Sequence, residues 1–98
     1  MSRTEPYREM QLMSATFIDP ETLAERISRV LRREFGQLRC AHRQIADRFK
    51  CDDRAAQNYL YGKNPPNAAA LMRMMAASEA LEEEILTMVR EHRRSLRE

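Results

Sequence analysis

Cys40, His42, Cys51 and His92 are the chain's thiols and imidazoles, the first place to look for metal or nucleophilic chemistry. Their spacing matches no standard zinc pattern, so no metal site and no cofactor is expected. No phosphate loop and no nucleophile–base set is present, and 98 residues leave little chain to enclose a substrate cleft. An enzyme is therefore not expected. The thiols read as reduced groups of an intracellular chain, with Cys51 packing as a small hydrophobe. That leaves the cations. Residues 24–63 carry ten Lys/Arg (26, 29, 32, 33, 39, 43, 48, 50, 54, 63) against five Asp/Glu (25, 34, 47, 52, 53). Residues 1–23 and 79–98 are each net −2, although the whole chain is +2. A polyanion would meet the chain between residues 24 and 63. A solvated surface of mixed sign is the plainer alternative.

The elements that must hold those cations are helices. In QIADRFKCDDRAAQNYLYG, residues 44–62, Ile45, Ala46 and Phe49 recur at helical spacing. Ala55, Ala56, Tyr59 and Leu60 make a second apolar stripe beyond the polar break at Lys50 to Asp53. Two short helices therefore face one another across a tight turn, with the small Ala46 allowing close approach. Asp52 suits the N-cap of the second, and Asp53 sets negative charge at the positive end of its dipole. Gly62 stops that helix, and Pro65 and Pro66 forbid its continuation.

Composition places these helices in an all-α domain. Apolar residues make up 43% of the chain, enough for one modest core, while three Phe, three Tyr and two Gly argue against a β-sandwich. Residues 1–16 are expected to be a flexible N-terminal arm, and 17–98 one domain. Asp19 reads as the N-cap and Pro20 as the first residue of a helix running to Phe35, with Leu23, Ile27, Val30, Leu31 and Phe35 inward. Arg26, Arg29, Arg32 and Arg33 would then point largely outward, and Gly36 ends the helix. The next helices are expected at 42–49 and 53–61. Asn67 caps a fourth, with Leu71, Met74 and Met75 on its buried side, and Ser78 caps a fifth over 79–95. No apolar run is long enough to span a membrane and no secretory segment is visible, so a cytoplasmic protein is expected.

Residues 20–78 resemble the Cro/phage-repressor family of helix-turn-helix domains, also called the xenobiotic-response-element type. The resemblance is carried by IAxxFxCDDRAAQNYLYGKNPP, Ile45 to Pro66, where the helix pair, the terminal Gly and the following Pro-containing loop agree. It implies a five-helix, lambda-repressor-like fold whose third helix reads the DNA major groove. Two residues depart from the pattern. Lys50 stands at the turn position usually held by Gly, requiring a left-handed backbone at about 1 kcal/mol, and Ala56 replaces a branched residue. Carried over by position, the base-reading slots fall on Asp53, Arg54 and Asn58, with Gln57 beside them on the exposed face. Arg54 can bond guanine O6 and N7, and Asn58 can bond adenine N6 and N7. Asp53 can accept from cytosine or instead orient Arg54. The resemblance also sets a phosphate-gripping donor on His42, next to Arg43, and adds Lys63 and Asn64 in the loop after the third helix.

The function that resemblance implies is a sequence-specific regulator of transcription that binds double-stranded DNA, bacterial or phage-encoded and associated with the nucleoid. A protein-interaction module that keeps the fold is the competing class, with the Asp52–Asp53 pair as its support. An antitoxin lies between the two, and a regulatory protein partner is compatible with either. Leu81, Ile85, Met88, Val89, His92 and Leu96 recur on one side of the fifth helix, and the expectation is that they form a homodimer interface. The alternative is that this stripe closes the chain's own core.

Overall fold

Asp19 begins the described fold: its Oδ1 accepts from the Thr22 N–H at 2.8 Å, freeing Pro20 to start α1, Pro20–Phe35. The computed structural model describes residues 18–97, so the expected arm at 1–16 lies outside the described residues. α1 ends at Gly36, where a Cβ would run into the Arg32 carbonyl oxygen. Cys40, in a left-handed conformation, then leads into α2, Ala41–Phe49.

α2 closes with two hydrogen bonds onto the Ala46 carbonyl, from the N–H groups of Lys50 and of Cys51 (3.1 Å). That closure needs a left-handed residue, and Lys50 supplies it at φ 57° and ψ 50°. Asp52 caps α3, Asp53–Leu60, by accepting from the Ala55 N–H at 2.7 Å. α3 ends in the same way as α2: Gly62, at φ 70°, donates to Tyr59 O, and Lys63 donates to Asn58 O at 2.9 Å. Asn67 caps α4, Ala68–Ala77, and Ser78 Oγ accepts from Leu81 N–H at the head of α5, Glu79–Arg97. The described chain is thus all-helical, five helices without a strand.

One core joins them. Ile27, Val30, Leu31 and Phe35 of α1 meet Ile45, Ala46 and Phe49 of α2, Ala56 and Leu60 of α3, Met74 of α4, and Leu81, Ile85 and Met88 of α5. Phe35 and Phe49 pack edge to face with centroids 6.1 Å apart. α1 touches α2, α3 and α5, while α4 bridges α2 and α5. Among the described residues α3 packs only on α1 and α2, and its far side stays clear of α4 and α5.

One arginine of α1 departs from the outward reading. Arg26 is held on α5, with Nε 2.6 Å from Glu84 Oε2 and a terminal nitrogen 3.2 Å from Glu91 Oε1. Its side chain is only 18% exposed, because two carboxylates on the neighbouring helix outbid water for the guanidinium. The Nε–H does not point along the shorter contact, which is a charge pairing rather than an aligned hydrogen bond. Arg32 stays exposed overall, yet its Nε and a terminal nitrogen turn back to Ser28 Oγ at 3.1 and 2.9 Å. The larger correction concerns α5. Leu81, Ile85 and Met88 are buried in the chain's own core and cannot serve as a dimer surface of the folded protomer. Val89 and His92 are half-buried and Leu96 is exposed. Docking α5 on the rest of the fold takes up Leu81, Ile85 and Met88 and leaves the end of the stripe outside the core.

Candidate nucleic-acid interface

α3 turns Ala56 and Leu60 into the core and holds Ala55 and Tyr59 at its edge. The opposite side of a 3.6-residue helix then carries Arg54, Gln57 and Asn58, with Tyr61 following on. Arg54 and Gln57 are exposed and Asn58 is half-buried, so two of the expected reading positions, Arg54 and Asn58, share one outward face with Gln57. Tyr61 joins them at 61% exposure. Periodicity alone could have found it, four residues beyond Gln57.

Asp53, also exposed, does not reach toward Arg54. Its Oδ2 lies 4.0 Å from Arg43 Nε, both side chains being more than half exposed. This contact spans α2 and α3 and sets a carboxylate beside one of the expected phosphate contacts. At such exposure it adds little to stability. Asp52, also exposed, points its carboxylate at the Ala55 N–H and so caps α3.

The expected phosphate donors lie on α2 and in the loop after α3. Arg43 is exposed in the first turn of α2, and Lys63 and Asn64 are exposed just after α3. Lys50 is an exposed cation at the corner between the two helices, a candidate that the sequence showed only as a departure from Gly. His42 is half-buried at the second position of α2, where it lines a cavity of about 580 Å³ together with Arg32, Cys40, Leu60 and Tyr61. His92 stands apart on α5, its Nδ1 accepting from the Ile18 N–H at 3.3 Å.

What pins α3 from behind was not visible in the sequence. Ser28 Oγ donates to the Leu60 carbonyl at 2.6 Å, and Arg32 supports that hydroxyl from the next turn of α1. The last turn of α3 is thereby fixed to α1 by a buried hydrogen bond. Cys51 packs partly buried under the turn, its thiol pushed above the ordinary value by burial and then by Asp52. Cys40 and Cys51 are both free thiols, and among the described residues no three His, Cys, Asp or Glu come together as a metal site would require. No described helix is long and apolar enough to cross a membrane. Comparison with family models, curated proteins and solved structures returned no match to this chain.

Proposed function

We propose that this chain is a sequence-specific regulator of transcription that binds double-stranded DNA. In this reading α2, the turn at 50–52 and α3 form a helix-turn-helix of the lambda-repressor-like kind, and α3 enters the major groove. One observation carries the proposal: of the described helices α3 packs on α1 and α2 alone, and it turns Arg54, Gln57 and Asn58 outward, with exposed Arg43, Lys50 and Lys63 on the neighbouring helix, the turn and the following loop. A helix in the major groove needs donors aimed at base edges and cations at its flanks for the two phosphate backbones.

Arg54 would read guanine, while Asn58 and Gln57 supply the amide geometry that suits adenine. Arg43, Lys50, Lys63, Asn64 and the imidazole of His42 would hold phosphates and fix the approach of α3. The weak, exposed pairing of Arg43 with Asp53 offers little resistance when a phosphate competes for the guanidinium. The competing reading, an interaction module, drew on Asp52 and Asp53. One of these carboxylates caps α3 and the other lies 4.0 Å from Arg43, and both remain exposed near the start of α3.

Selection of bound duplexes from a random pool, followed by a salt titration on the winning and a scrambled duplex, tests the proposal. A common motif is expected, with affinity falling steeply as salt rises. Failure to enrich any duplex at low salt would remove the DNA reading and leave the interaction module.

A further inference from the structure

The cavity beside His42 opens between the loop that follows α1 and the end of α3, and its volume of about 580 Å³ is that of a small-molecule site. Two kinds of group line it. Arg32 and His42 supply a guanidinium and an imidazole, while Leu38, Leu60 and Tyr61 supply an apolar wall. None of its described lining residues is acidic, although the chain carries 15 Asp and Glu.

The guanidinium is placed before any ligand arrives. Its Nε and one terminal nitrogen are held on Ser28 Oγ at 3.1 and 2.9 Å, and that hydroxyl is buried against the Leu60 carbonyl. The other terminal nitrogen has no acceptor among the described residues, and Arg32 pairs with no carboxylate there. An arginine whose side chain is already positioned loses less freedom on gripping a carboxylate than a loose one does. Leu38 and Tyr61 meanwhile stay 48% and 61% exposed, two large side chains that the fold leaves in water. A ligand that carried charge alone, such as a phosphate, would satisfy Arg32 and leave both of them wet. One with an apolar body beside its charge covers them as well.

We infer that this cavity binds a small organic acid, an aromatic monocarboxylate, with its carboxylate on Arg32 and His42 and its ring against Leu38 and Tyr61. The inference does not rest on the DNA reading, and its test needs no DNA. The free nitrogen of a placed guanidinium and one imidazole suit a single negative charge, and the phenol ring of Tyr61 offers a face for a second ring to stack on. Leu60 and Tyr61 stand at the end of α3, so the seated acid bears directly on that helix. The site is open to water on one side and Arg32 is exposed. Binding is accordingly weak, with a Kd on the order of a millimolar for an acid of a dozen or so heavy atoms.

The probe is 2-naphthoate, titrated through the millimolar range into the full chain at constant ionic strength and followed by backbone amide shifts in two-dimensional NMR. Saturable shifts are expected at Gln37, Leu38, His42 and Tyr61. 2-Naphthamide keeps the ring without the charge, and inorganic phosphate keeps the charge without the ring. Each is expected to bind on the order of tenfold more weakly than the acid. Arg32→Gln and Leu38→Ser are each expected to weaken naphthoate on the order of fivefold. Leu38 is an exposed loop residue, so its variant keeps the test alive if Arg32→Gln loses its helical circular dichroism. No saturable shift at these residues overturns the inference. So does phosphate that binds as well as naphthoate, which would leave a simple anion site, or naphthamide that does, which would leave a simple apolar one. Naphthoate affinity that Leu38→Ser does not change overturns it too.

Discussion

At the scale of single residues the proposed function separates into readers and holders. Arg54→Ala and Asn58→Ala are each expected to cost about 1–3 kcal/mol on the selected duplex and to relax preference at one base pair per half-site. Equal losses on selected and scrambled duplexes would show that neither side chain reads a base. Arg43→Ala and Lys63→Ala should weaken both duplexes alike and lower the salt slope by about one per lost phosphate contact. A slope that does not move removes them from the phosphate set. Periodicity made the outward face legible, because Ala56 and Leu60 fix which side of the helix is inner. It could not reveal that Asp53 meets Arg43 rather than Arg54, since that depends on how α2 and α3 cross. Burial also marks two groups that titrate late: the Cys51 thiol is pushed above 9.0, and the Tyr59 phenol is pushed above 10.0 by burial and by Cys51. The folded state favours both neutral forms, so the stability they contribute is present below the unfolded pKa values and is lost as pH rises through the folded ones. Urea midpoints should therefore fall in alkaline solution, and Cys51→Ala should flatten that fall. An identical pH profile for the variant would sink this assignment.

At the scale of elements, the chain announces its helices through local chemistry. Asp19, Asp52, Asn67 and Ser78 each accept from a backbone N–H three residues on. A cap is readable because all its atoms lie within one turn of sequence. The observed bounds accordingly differ from the expected ones by no more than two residues, as in α5, which runs to Arg97 rather than 95. The left-handed Lys50 was expected only through the resemblance, which sets Gly at that turn position, and it makes a prediction. Lys50→Gly removes the side-chain penalty at φ 57° and should stabilise the fold by about 1 kcal/mol, while Gly62→Ala at φ 70° should destabilise it by a similar amount. Chemical denaturation measures both, and matched midpoints for Lys50→Gly and the parent chain would deny that strain is stored at the turn. Links between distant helices were not readable. Ser28 and Leu60 stand 32 positions apart, and nothing near either one signals the other. Ser28→Ala should cost about 1–3 kcal/mol by leaving the Leu60 carbonyl poorly satisfied. It should also speed amide exchange in the last turn of α3 more than in α4.

At the scale of the whole molecule, the question that composition left open was which side of α5 belongs to the core. Two seams with the same periodicity lie one residue apart: Leu81, Ile85, Met88 and His92 on one, and Glu82, Leu86, Val89, Arg93 and Leu96 on the other. Arg26 helps to decide it, because pairing with Glu84 and Glu91 sets the rotation of α5 against α1 and leaves Glu82, Leu86 and Arg93 outside. Leu81, Ile85 and Met88, expected at a dimer interface, lie instead in the chain's own core. If two copies bind together about a two-fold axis, the two α3 helices are related by the same axis. A symmetric protein selects symmetric DNA, so the chain should then enrich inverted repeats from a random pool, with half-sites about 34 Å apart or a multiple of that. Isolated half-sites from the same selection would mean that the protein reads DNA as a monomer.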